Sequence, residues 1–85
     1  MTKHARMSAV EAAELLSTLL LNEDPAVPDR LDRATRARND VITAHKIVVR
    51  VAQTNQSEAN RRGVEELGSL ERTANILYDM IVSGR

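Results

Sequence analysis

The sequence has no cysteine, no tryptophan and no phenylalanine, and its one aromatic residue is Tyr78. Without thiols there are no disulfides and no thiolate-held metals, the usual reinforcement of chains this short. His4 and His45 are the only imidazoles, too few for a histidine-rich metal centre. With aromatic volume almost gone, a core must be assembled from Leu, Val, Ile and Ala. Glycine occurs three times and proline twice, while Ala, Leu, Arg and Glu are common, a composition that favours helix. An excess of charge of one sign is also missing. Twelve basic and twelve acidic side chains give a formal net charge of zero, which argues against a dedicated nucleic-acid binder. Long apolar runs are absent too. The stretch Leu15–Leu21 carries Ser17 and Thr18 and falls well short of the ~20 residues a membrane span needs. Lys3 and Arg6 resemble the start of a secretory signal, but Glu11 and Glu14 interrupt what would be its apolar segment. These absences lead to the expectation of a single cytoplasmic domain that meets no membrane.

What is present is helical periodicity. Ser8-Ala9-Val10-Glu11 fits a capping box, in which the hydroxyl and the carboxylate each accept a free backbone N–H of the first turn. Ala9, Ala12, Leu15, Leu16, Leu19 and Leu20 follow on one face and predict a helix over about 8–22, preceded by a disordered basic tail over 1–7. The segment NEDPAVP, residues 22–28, then stops it, because proline lacks the helical N–H and restricts the residue before it. Asp29 is placed to cap a second helix with Asp32 three residues on, and Ala34, Ala37, Val41, Ala44, Val48 and Val51 recur at spacings of three and four to about residue 54. The β-branched run 41–51 does not alternate as a strand must, since Val41-Ile42 and Ile47-Val48-Val49 are adjacent. A third helix, over about 57–83, carries Gly63, Leu67, Leu70, Ala74, Leu77, Ile81 and Gly84 on a 3.5-residue repeat, with Ser57 as its cap and Gly84 at its C-terminal stop. Small residues on that stripe let a neighbouring helix approach closely. Continuing the second helix past Val51 would bring Asn55, Glu58, Arg62 and Glu65 onto its apolar seam, so a turn near 54–57 is expected instead of one long rod. The resulting fold class is all-α: a short N-terminal helix plus a long antiparallel helical hairpin within one domain over 8–85, associating into a dimeric helical bundle.

Candidate chemistry is sparse. His45 lies inside the apolar arc of the second helix, flanked one turn away by Val41 and Val49, and reads as a packed histidine ahead of a pH switch or a catalyst. The arginines of RLDRATRAR, residues 30–38, scatter around the helix, and Asp29–Arg33, Asp32–Arg36 and Arg36–Asp40 form i,i+4 pairs typical of a solvated face. Arg61 and Arg62 are matched by Glu65 and Glu66 in the same way, and no glycine-rich phosphate loop occurs. Pro25-Ala26-Val27-Pro28 resembles the Pro-x-x-Pro turn of type III secretion needle subunits, but the likeness covers four residues and leaves two long helices after the turn. It assigns no family.

The informative feature is surplus apolar surface. On the second helix the apolar arc spans about 220°, against roughly 100° for a helix buried on one side. On the third, Ile76 and Met80 lie one turn apart and off the main stripe. Ile42, Ile47, Val49, Ile76 and Met80 are therefore the candidate interaction residues. No catalytic, cofactor-binding or metal-binding residue is expected, and no small-molecule substrate. The function read from the sequence is a non-catalytic helical protein–protein interaction module, an adaptor, chaperone-like protein or inhibitor, that pairs with itself as a homodimer and with another protein. The alternative is a small dimeric nucleic-acid-binding regulator using Lys3, Arg6 and the stretch from Arg30 to Arg38.

Overall fold

The computed structural model describes residues 7–22, 24 and 26–84. It contains three helices, α1 (Ala9–Asn22), α2 (Arg30–Thr54) and α3 (Glu58–Gly84), and no strand occurs among the described residues. The all-α expectation holds. No helix is long and apolar enough to cross a membrane, among the residues described. Residues 1–6 of the basic tail, with Lys3 and Arg6, lie outside the described residues. Met7 is held in place: its backbone N–H donates to Asp40 Oδ2 at 3.1 Å, and its side chain packs partly buried against the core.

The helix starts show which local signals act. Ser8 and Glu11 form the reciprocal capping box, Glu11 N–H donating to Ser8 Oγ and Ser8 N–H to Glu11 Oε1, both at 3.2 Å. Ser57 caps α3 by accepting the N–H of Asn60 at 3.1 Å, while the Asn60 side chain donates to the Asn55 carbonyl at 2.7 Å and closes the turn. Asp29 does not cap α2 with its side chain, contrary to the expectation. Its backbone sits at φ −98°, ψ 12°, away from the extended conformation that aims a capping oxygen at the first turn, and its carboxylate goes to Arg33 at 3.3 Å instead. Gly84 is likewise no left-handed cap: it is the last residue of α3, and no described glycine has positive φ.

α1 packs on the early part of α2. Its N-terminal end lies at Asp40 through Met7, and its C-terminal end lies at Arg30, whose Nε donates to the Leu19 carbonyl at 3.1 Å. Leu19 O is among the last four carbonyls of α1, which have no partner within the helix, and α1 has no basic residue of its own in its last turn. Arg30 supplies the missing donor and a positive charge at the negative end of the helix dipole. The core beneath is made of Ala12, Leu16, Leu19, Ala34, Ala37, Val41, Ala74 and Ile81, with Leu15, Leu20, Leu70, Leu77 and Tyr78 packed around it.

α3 runs alongside α2 over a longer distance. Thr35 Oγ1 and Tyr78 Oη share a hydrogen bond of 3.1 Å, and the Arg38 guanidinium lies over the Tyr78 ring, 4.6 Å from its centre. Further along, His45 meets Glu71, and Val48 faces Gly63. All the buried residues of α2 fall at or before Val41, and those of α3 at or after Ala74. From residue 42 to residue 73 no side chain is fully buried, though His45, Leu70 and Glu71 are largely covered.

Two substitutions test this distribution. Leu16→Ala removes a fully buried side chain and should cost roughly 2–5 kcal/mol in urea denaturation. Arg30→Met keeps apolar volume but strands the Leu19 carbonyl. It should cost about 1–3 kcal/mol and accelerate amide exchange in α1 ahead of α3.

Candidate functional site

His45 turns out to have a partner that its own helix does not provide. Its Nδ1–H donates to Glu71 Oε1 on α3 at 2.8 Å, with both side chains about three-quarters buried. A carboxylate is acceptor-only when ionised, which fixes the proton on Nδ1 in this contact. The ring's other edge faces Gly68: a methyl group built on that glycine would lie 3.4 Å from His45 Nε2. A base oriented by a carboxylate is two-thirds of a nucleophilic triad. The shallow depression beside it is lined by Lys46, Val49, Arg50 and Gln53 besides the pair itself, and offers no hydroxyl or thiol. No group of three His, Cys, Asp or Glu side chains among the described residues is arranged to hold a metal. The pair is a hydrogen bond that joins α2 to α3. Register makes it legible in retrospect: once the turn is placed near 54–57, residue 45 comes opposite the 67–71 stretch.

The arginines of 30–38 are engaged one by one. Arg30 is 7% exposed and bound to Leu19, Arg33 pairs with Asp29, Arg36 with Asp32 at 3.4 Å, and Arg38 stacks on Tyr78. Asp40, the other i,i+4 neighbour of Arg36, accepts the N–H of Met7. The sequence reading of this stretch as a solvated face overlooked Arg30 and Arg38. Arg30 stands four residues before Ala34, on the same seam as Val41, and that spacing is the signal for its burial. Arg61 and Arg62 pair with Glu58, at 2.8 and 3.8 Å, one turn earlier on α3.

Several large apolar side chains are exposed: Leu21 by 76%, Ile76 60%, Val10 56%, Met80 50%, Leu31 49%, Ile47 48%, Val51 45% and Val82 39%. Ile42 and Val49 are half-buried. The five candidate interaction residues do not form one patch. Val49 lines a depression of about 540 Å³ near the turn, together with Ala52, Val64, Gln56 and Arg61. Ile76 and Met80 form a small patch one turn apart on the outer side of α3. Ile47 belongs to a third surface, with Ala44 and Val51, which follow Asp40 at steps of four, three and four and so share its side of α2. That is the side against which α1 packs, continued past the point where α1 begins. Val51 was read as a seam residue in the sequence, and its exposure is what marks this stretch as bare.

No family model, no curated protein and no solved structure matches this chain.

Replacing His45 and Glu71 singly and together by alanine should give a coupling energy of about 1 kcal/mol by thermal or urea denaturation near neutral pH. Gly68→Ala, with room for its methyl group and a gain in helix propensity, should leave stability unchanged or raise it by up to about 1 kcal/mol.

Proposed function

We propose that this protein is a non-catalytic protein–protein interaction module of the cytoplasm, in which α2 and α3 form an antiparallel hairpin that pairs with other helical surfaces, a second copy of the chain among them. The observation that carries the reading is the division of the hairpin into a covered and a bare half. α1 and the buried core occupy one half, while in residues 42–73 no side chain is fully buried: Ala44, Val48 and Leu67 are half-buried, and Ile47 and Val51 are exposed. The falling order of the α3 partners, Tyr78 for Thr35, Glu71 for His45 and Gly63 for Val48, supports the antiparallel arrangement. An uncovered apolar stretch on a chain with zero formal net charge favours association. The His45–Glu71 pair, which lacks a nucleophile, favours binding over catalysis. The separate patch of Ile76 and Met80 suits a partner protein, since it lies on the outer side of α3.

The nucleic-acid reading loses most of its support, because each arginine from Arg30 to Arg38 is committed to a neighbour. A free phosphate-binding face needs such side chains available.

Gel filtration with light scattering should show a dimer in the micromolar range, and a monomer at every concentration would end the self-association reading. A duplex DNA mobility assay at 50 mM salt, where phosphate contacts are strongest, should show no shift. A salt-sensitive shift would revive the regulator.

A further inference from the structure

The bare half of the hairpin continues the surface that α1 already fills. On α2 the seam Ala34, Ala37, Val41 runs on without interruption as Ala44, Val48, Val51, and on α3 the stripe Ile81, Leu77, Ala74 runs on as Leu70, Leu67, Gly63. α1, at 14 residues, is about 21 Å long, whereas α2 and α3, at 25 and 27 residues, are about 37 and 40 Å. Beyond the N-terminal end of α1 at Asp40, α2 runs on to Thr54, which leaves roughly 21 Å of the groove past α1.

We infer that this empty length is filled by the same length of a second copy, the two hairpins lying face to face and tip over tip about a twofold axis at the height of Val49 and Val64. The inference rests on the self-association reading above and adds its face and register. Three features of the chain fit that axis. First, Tyr78 meets Thr35 and Gly68 faces His45, and the antiparallel register those two contacts share brings position 49 to nearly the same height as position 64, so one axis serves both helices. The antiparallel pair of α2 helices then sets Ile47 against the partner's Val51, and Val51 against the partner's Ile47. These are the two most exposed apolar residues of that half of α2.

Second, the charges at the rim complement themselves. Positions 62 and 66 are equidistant from 64, so the antiparallel pair of α3 helices sets Arg62 against the partner's Glu66 and Glu66 against the partner's Arg62. A parallel arrangement would instead place α1 of each copy against α1 of the other and hold the bare halves apart.

Third, the lengths close. Reflected through residue 49, the turn at 55–57 of one copy reaches the height of residues 41–43 of the other. α1 of that copy begins just beyond, where Met7 N–H binds Asp40. The tip of each hairpin therefore fits against the start of the other copy's α1 without displacing it, and the capped end of α1 sets how far the copies overlap. The overlap, residues 41–57, is about 24 Å long and two helices, about 20 Å, wide, which gives roughly 1,000 Å² buried across both copies, the lower edge of specific interfaces. A dissociation constant in the micromolar range is expected, not an obligate dimer.

The chain's lack of cysteine makes the test clean. Ile47→Cys and Val51→Cys are made as single variants, mixed, and oxidised mildly, with sedimentation equilibrium on the unmodified chain and on Val51→Glu. The expected result is a mixed Ile47→Cys/Val51→Cys disulfide in preference to either homodisulfide. Val51→Glu should weaken dimerisation at least about tenfold by burying an unpaired charge, with helicity by circular dichroism unchanged. If Val51→Glu lowers helicity, Ile47→Lys takes its place at an equally exposed position. Mixing Arg62→Glu with Glu66→Arg should yield a heterodimer tighter than either variant alone. A monomer at all concentrations overturns this inference and the self-association reading together. A dimer that survives Val51→Glu, or that crosslinks through Ile76→Cys, overturns the face and register alone and leaves self-association standing.

Discussion

Everything in this protein follows from an inequality of helix lengths. α1 is little more than half as long as the two helices it packs on. A helix can shield only the length of groove it lies along, so the chain closes a core over one half and leaves the other to solvent or to another molecule. The start and end of α1 are both fastened, by Met7 to Asp40 and by Leu19 to Arg30, so it cannot slide to share its cover between the halves. The two prolines of the connection and the capping box at Ser8 define the same limits from within the sequence.

The core inside the covered half is built largely from alanine. Ala12, Ala34, Ala37 and Ala74 are all fully buried, and the largest fully buried side chains are Leu16, Leu19 and Val41. Small seam residues let helices approach closely but remove little apolar area per residue from water, roughly 25 cal/mol for each Å². A short chain with no aromatic residue in its core therefore gains modest stability from folding alone. Further burial on the bare half would add to it, since whatever binds the folded state alone also stabilises it. The proposed association would draw on the same seam as folding, and the continuity of that seam along α2 and α3 is the physical link between them.

Periodicity and capping were legible in the sequence, because both depend on neighbours within a helical turn. Ser8 with Glu11 and Ser57 with Asn60 act as local chemistry requires. Asp29 did not follow that rule, because an arginine four residues on competes for its carboxylate and its backbone is not extended. What the sequence left hidden was relations between helices. Glu71 lies 26 residues from His45, and Tyr78 lies 43 from Thr35, distances over which residue order alone sets no geometry. Arg30 was missed for another reason: it carries a charge at a seam position, and the pattern of apolar spacing passes over it. The surplus of apolar surface was readable from the width of the arc. Its location was not, since it depends on where along α2 the start of α1 comes to lie.

The polar contacts between α2 and α3 solve a problem that the seam creates. Apolar residues repeating every seven positions pack nearly as well after a slide of one heptad, as Gly63, Leu67, Leu70, Ala74, Leu77 and Ile81 would still present small and aliphatic side chains. The unique contacts do not survive such a slide. His45 would lose Glu71, Gly68 would no longer stand opposite the imidazole, and Tyr78 would leave both Thr35 and the Arg38 guanidinium. Each lost hydrogen bond between these part-buried groups forfeits a net contribution of about 0.5–1.5 kcal/mol, which favours the native register over the shifted one. The His45–Glu71 pair stands just past Val41, where the covered half gives way to the bare one, so it fixes the height at which the bare surfaces of α2 and α3 meet. Val49 comes level with Val64, and Ile47 and Val51 keep their place beside Arg62 and Glu66, only because that register is held. The His45–Glu71 contact thus sets the geometry of the surface on which the proposed binding would depend.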